Sequence, residues 1–288
     1  MMIGTEVGSL ADVIATMQVE GGSRGGINFD SLRLSKHAKR LVAAGFRHIE
    51  LSLDTRFMME GAADDSVIDE LLELKKSMGL TYSVHLPIMD TSFLSLNDGI
   101  RKATLECLKE SIRSTEPLDI TGYVLHPTRF VEYEIAGLPL SASTKREVYN
   151  YIREKGSRGL SELIDLAGSS RRILLEPDVA VPFDAIFDPL VDEYDSGVCF
   201  DYGHHVMAKL EPIEFFETYK NRIREIHLHD VAVKYKIDHI PLGAGTTHWE
   251  DFVKYITREN RFDGVLLLEM MEQAAISSLP KLLKVIGI

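Results

Sequence analysis

Cysteine is nearly absent from this 288-residue sequence: Cys107 and Cys199 are the only two, and both lie in apolar segments. A disulfide framework is therefore excluded, and the two thiols read as core filler in a reduced, cytoplasmic protein. Long apolar runs are missing as well, none approaching the ~18 residues that a bilayer span requires. The opening stretch, MMIGTEVGSLADV, has no basic flank ahead of an apolar core, so no secretory leader and no membrane partner are expected. Basic residues are in deficit, with 32 Lys and Arg against 44 Asp and Glu, leaving a net charge of −12. Nucleic-acid affinity comes mainly from Lys and Arg neutralising phosphates, so a polyanionic partner is disfavoured, although part of the negative count is assigned below to metal ligands.

The sequence does hold 45% hydrophobic and 26% charged residues, enough apolar material for one large core. Short apolar runs alternate with longer amphipathic ones. Strands are predicted at 2–7, 47–53, 81–86, 122–127, 172–177, 197–201, 224–230 and 264–270. Helices are predicted at 32–44, 65–78, 97–114, 142–167, 183–194, 212–221, 249–258 and 278–286. The strands are nearly continuous hydrophobic runs, as parallel strands covered on both faces should be. Eight strands alternating with eight helices suit an α/β fold of the (β/α)8 TIM-barrel type. No linker or repeat divides the chain, so one domain over 1–288 is expected. EGGSRGG (20–26) and VEYEIAGLPLSAS (131–143) read as long loops after the first and fourth strands.

In such barrels chemistry gathers where the strands end, because the following loops open on one face. The third strand ends in His85, the fourth in His126, the fifth in Glu176 and the sixth in Asp201, with His204 one turn further. The seventh carries His227, His229 and Asp230, the eighth ends in Glu269, and the loop between them holds Asp238 and His239. A single histidine in an apolar strand is usually a hydrogen-bonded core residue, and a single glutamate at a strand end usually meets solvent. Six consecutive strands ending this way cannot be explained so, since each buried charge costs several kcal/mol unless it is paired or metal-bound. Imidazole and carboxylate donors without cysteine suit Zn2+ or Mn2+ better than Mg2+. His205 is read as packing beside the site.

The motifs VHLP, VLHP, LLEP, FDYGHH, IHLHD, DHIPLGAG and LLLEM resemble those of the xylose-isomerase-like superfamily. That superfamily spans sugar isomerases and epimerases and the endonuclease IV group of apurinic endonucleases. The resemblance implies two alternatives. In the isomerase branch one ion is held by Glu176, Asp201, His227 and Glu269, the two glutamates act as acid and base, and His85 and His126 bind sugar hydroxyls. In the endonuclease-like branch His85, His126, His204, Asp238 and His239 join them around two or three ions. That branch implies hydrolysis of a phosphate ester, with Glu176 bridging. Its Asp-x-His pattern is shifted here, because Asp238 stands directly beside His239 and two adjacent loop side chains tend to diverge. Hydrolysis of a small phosphoester or phosphodiester is the main expectation, and a sugar or sugar-phosphate isomerase the alternative. A non-catalytic metal-binding barrel comes third. Arg24, Arg129, His229 and Lys234 are expected to contact substrate.

Overall fold

A computed structural model describes residues 1–9, 33–128 and 130–288, and of Phe130 and Val131 the backbone alone. The chain opens with β1 (Met2–Val7), α1 (Leu34–Ala44), β2 (His48–Ser52), α2 (Asp54–Met58) and α3 (Asp65–Met78). It continues with β3 (Thr81–His85), α4 (Asp98–Thr115), β4 (Tyr123–Leu125), α5 (Phe130–Gly137), α6 (Ala142–Gly156) and α7 (Arg158–Ala167). Then follow β5 (Ile173–Leu175), α8 (Phe187–Tyr194), β6 (Gly197–Asp201), α9 (Tyr202–Met207), α10 (Pro212–Tyr219) and β7 (Ile223–Leu228). The last elements are β8 (Asp230–Ala232), β9 (Ile237–Ile240), α11 (Trp249–Lys254), β10 (Val265–Leu268) and α12 (Glu272–Ile286). Eight parallel strands close a barrel in the order β1-β10-β7-β6-β5-β4-β3-β2, while β8 and β9 form a separate antiparallel ribbon. The fold is the (β/α)8 TIM barrel expected from the sequence.

Local chemistry sets the boundaries. The Asp64 carboxylate caps α3 by accepting the Val67 N–H, and Gly79, at φ 67°, ends it in the left-handed region. Val67, Ile68 and Leu71 bury one face of that helix against the strands. Three predicted boundaries shift. The stretch 131–143 is not a bare loop, since α5 occupies its first half. The single helix predicted over 142–167 is two, α6 and α7, meeting at Ser157. The last helix begins at Glu272 rather than at 278, and the short α2 after β2 was not foreseen.

The two faces of each strand do different work. Outward side chains such as Ile49, Leu51, Tyr82 and Val84 pack on the helices in the main apolar core. Inward ones include His48 and Glu50 on β2, Ser83 and His85 on β3, and Glu225 and His227 on β7, all buried. Ser83 donates to Glu225 at 2.9 Å although β3 and β7 are not neighbours, so that bond crosses the barrel lumen. Bulky branched residues ordinarily fill this space. Gly4 on β1 makes room for one of the polar fillers, because a Cβ there would lie 2.7 Å from the His48 ring.

The barrel's seam is tied by charge. β1 pairs with β10, which brings α1 beside α12. Arg40 on α1 grips the Glu272 carboxylate at 2.6 and 2.8 Å, and His37 lies 2.9 Å from it. Burial would raise the Glu272 carboxyl, but His37 and Arg40 overcome it and pull it down to about 2. Its ordinary unfolded value is about 4.3, so the ion pair's stability is complete above that pH and lost as pH falls towards about 2. Glu272→Gln should lower stability near pH 7 by about 2 kcal/mol, discounted because Arg40 is half exposed. Urea denaturation in a pH series should show the gap to wild type closing below pH ~4.3. A pH-independent gap would contradict this account.

Candidate metal centre

The strand ends deliver their polar side chains to one place. Glu176, just beyond β5, is fully buried and central. Its Oε2 lies 3.3 Å from His126 Nε2 and 3.5 Å from His227 Nδ1, and its Oε1 lies 3.7 Å from His204 Nδ1. His85 donates Nδ1–H to the Leu86 carbonyl at 3.1 Å, which leaves its Nε2 lone pair facing His126 Nε2 at 3.3 Å. Glu269 Oε2 stands 3.2 Å from His227 Nδ1 and 3.4 Å from His239 Nε2. Five donor sets result among the described residues: His85–His126–Glu176, Glu176–Cys199–His227, Asp201–His227–Glu269, Asp201–His204–His229–His239 and Glu50–Glu225–His227.

Several of these buried atoms lack hydrogen-bond partners. They are both oxygens of Glu176, both ring nitrogens of His227 and Glu269 Oε2. Leaving such groups unpaired costs on the order of 1–3 kcal/mol each, more when charged. A divalent cation held by imidazole and carboxylate satisfies them, so the residues fit the Zn2+ or Mn2+ that the donor chemistry calls for.

Charge is already organised for it. Burial opposes ionisation of Glu176, yet His126 and His227 hold it below the usual carboxylate range. Against the same burial, His204 and His229 bring Asp201 to about 2, while His227 and His239 hold Glu269 well below its ordinary value. Burial disfavours the charged form of His239, but Asp238 and Glu269 raise it to about 11. Glu225 goes the other way: burial and the neighbouring Glu50 push it well above 4.5.

Each predicted residue among those described has a definite place. His85, His126, Glu176, Asp201, His204, His227, His239 and Glu269 converge. Asp238 does not: it belongs to none of the donor sets, and its Oδ1 lies 3.2 Å from His239 Nδ1. His239 adopts φ 51° in β9, and the Asp238 carboxylate meets the Nδ1 edge of its ring while Nε2 faces Glu269. Asp238 orients His239 instead of joining the cluster. His229, expected at the substrate, is fully buried beneath it. Its Nδ1 accepts the His239 backbone N–H at 3.0 Å, so the ring proton sits on Nε2, 3.2 Å from Asp201 Oδ2. Gly203 permits this, because a Cβ there would lie 2.0 Å from the His229 ring. Lys234 is exposed on a short turn, 5.4 Å from the Tyr235 ring, and lines neither cavity at the site. Arg24 and Arg129 lie outside the described residues. His205 packs on Phe200 and Phe215, with its Nδ1 2.7 Å from the Asp201 carbonyl, and burial lowers it to about 4. Cys199 stands beside Glu176 and His227, but burial pushes its thiol well above 9, so it stays neutral.

Asp230 was singled out on β7's end and proves to be a loop anchor. Its carboxylate accepts the N–H groups of Val231, Gly243, Gly245 and Thr247 and the Thr247 hydroxyl, at 2.9 to 3.2 Å. The ribbon that carries His239 hangs from it. Four buried residues escaped the sequence reading: His48, Glu50, Ser83 and Glu225. Their signal was polar residues at period two within strands that are otherwise apolar.

A cavity of 310 Å3 opens on the cluster, lined by His85, His126, Tyr133, His204, His239 and Glu269 among others. A second, of 200 Å3, shares His85, His239 and Glu269 and reaches Glu6, Ser52 and Asp54. No lysine or arginine lines either one among the described residues. Ligand pockets run from about 300 to 1,000 Å3, so the space suits a small molecule. Among the described residues no helix is long and apolar enough to cross a membrane.

A closed eight-stranded barrel with this ring of donors at its strand ends defines a class, and the family model for the xylose isomerase-like TIM barrel matches residues 38–284. The chain belongs to that family. An uncharacterized protein of Methanocaldococcus jannaschii is 28% identical over 210 residues, covering 70% of this chain and 68% of its own. Among solved structures, a D-tagatose 3-epimerase-like protein superposes with a TM-score of 0.69 at 21% identity, over 100% of this chain and 98% of its own. The 3-keto-D-glucoside 4-epimerase of E. coli gives a TM-score of 0.66 at 14% identity, over 99% of each chain.

Proposed function

We propose that this chain is a divalent-metal-dependent isomerase or epimerase of a small sugar, working with Zn2+ or Mn2+. One observation carries the reading. Glu176 and Glu269 approach the same His227 nitrogen at 3.5 and 3.2 Å, Asp201 shares a donor set with His227 and Glu269, and Glu269 lines a cavity of sugar size. An ion held there would polarise the neighbouring oxygens of a hydroxycarbonyl compound and acidify the C–H between them. Glu176 and Glu269 are kept ionised by the adjacent imidazoles, so one can take that proton and the other, once protonated, can return one. His85, His126 and His204 line the wall as partners for hydroxyl groups. A cavity wall without lysine or arginine among the described residues suits a neutral polyol. The epimerase and the epimerase-like protein of the same fold support this reading.

A second reading rests on a separate observation. His85 with His126, and His204 with His239, make donor sets that a single ion does not need. Two or three ions would instead suit hydrolysis of a phosphate ester by in-line displacement. Metal analysis of protein purified without chelators separates the two: one tight equivalent per chain is expected, and two or three would favour the hydrolase. In parallel, a ketose panel should show turnover and bis-p-nitrophenyl phosphate none. His126→Ala should raise KM about tenfold with kcat largely kept; a 1,000-fold fall in kcat would transfer His126 to the chemistry.

A further inference from the structure

The barrel lumen beneath the metal centre holds ionisable groups that proton transfer at the cavity does not use. Glu50 and Glu225 are 0% and 1% exposed, as are His48 and Ser83 at 0%. Apolar side chains of similar size would fill this space at lower free-energy cost, because each buried ionisable group must recover its desolvation. The geometry shows one return on that expense. His227 Nε2 lies 3.3 Å from Glu50 Oε1, across the lumen from β7 to β2, while its Nδ1 faces Glu176 and Glu269 on the cavity side. Both atoms are buried, and neither makes a regular hydrogen bond in this arrangement, so each is the nearest available partner of the other.

Glu50 is itself held in place. Ser83 Oγ lies 3.5 Å from Glu50 Oε2 and 2.9 Å from Glu225 Oε1. His48 braces Ser83 from below, with Nε2 at 3.0 Å from its hydroxyl and Nδ1 at 2.8 Å from Thr81 Oγ1. A chain of polar contacts thus runs from the metal centre down the barrel axis. We propose that Glu50, packed against Ser83, is the positioning residue that takes the Nε2–H of His227 and so presents Nδ1 as the metal donor. A histidine ligand whose far nitrogen meets a carboxylate is fixed in ring orientation and tautomer, and loss of that partner weakens metal binding by about 10–100-fold. The inference rests on the proposed metal site but not on the choice between isomerase and hydrolase.

Co2+ reports on the site directly through its visible absorption. Titration of chelator-treated wild-type protein, Glu50→Leu and Glu50→Gln should give three results. Glu50→Leu, which strands the Nε2–H, should bind at least tenfold more weakly and with an altered spectrum. Glu50→Gln keeps a carbonyl acceptor and should stay within about threefold of wild type. Circular dichroism establishes that each variant is folded; should Glu50→Leu fail to fold, Glu50→Asp, which withdraws the acceptor by one methylene, should show the weaker binding in its place. Folded Glu50→Leu with wild-type affinity and spectrum would overturn the proposal, as would equal weakening in Leu and Gln variants. Absence of Co2+ binding by the wild-type protein would overturn the metal site itself, and this proposal with it.

Discussion

Glu176→Gln should erase most of the thermal stabilisation that Zn2+ or Mn2+ confers on this protein. A ligand at 100 times its Kd stabilises by about 2.7 kcal/mol, and a 100-fold loss of affinity reduces that to about 0.4 kcal/mol at the same concentration. The reason is the shared position of Glu176. It belongs to the His85–His126 donor set and also touches His227, with both oxygens buried and unpartnered. The amide keeps shape and volume but supplies only one weak donor in place of a charged pair. Metal-stripped variant and wild type should melt within a few degrees of each other, which separates loss of ligation from loss of folding. Turnover should fall about 100- to 10,000-fold, the usual contribution of a general acid or base. Melting curves with and without added ion decide the matter, and an undiminished metal-induced shift would refute the assignment.

Asp230→Ala should be the most destabilising single change near the site, by about 3–5 kcal/mol. It strands four backbone N–H groups and a threonine hydroxyl that now converge on one carboxylate. Asp230→Asn should be nearly as harmful, because its NH2 group would face N–H donors where an acceptor is needed. Gly245 shows how tightly the loop wraps this side chain, since a Cβ there would lie 2.3 Å from Asp230 Oδ1. Equilibrium denaturation gives the stability change, and His239 should lose its place beside Glu269 even where the fold survives. A loss below about 1 kcal/mol would show that water can replace the carboxylate.

The barrel was legible because six of its strands announce themselves twice, as continuous apolar runs and by a His, Asp or Glu at the end. FDYGHH is the clearest case: Asp201 ends β6, caps α9 through the His204 N–H, and joins two donor sets. The exchange between Asp238 and His229 was illegible. His229 faces Asp201 while Asp238 faces His239, within and beside a ribbon whose pairing no periodicity reveals. Glu50 and Glu225 were hidden for another reason. In HIELS and REIHL a carboxylate at period two looks like the wet face of a strand, and only barrel closure turns that face inward. The helix at Phe130–Gly137 was missed because its apolar residues do not gather on one face.

A lumen given over to titratable groups divides labour along every strand. Cohesion has to come from the annulus between strands and helices, where Ile49, Leu51, Tyr82 and Val84 meet Leu41, Val67 and Leu71. Alternate positions along β2 and β3 therefore answer to different demands: one parity keeps the molecule standing, and the other can drift towards new chemistry without bringing it down.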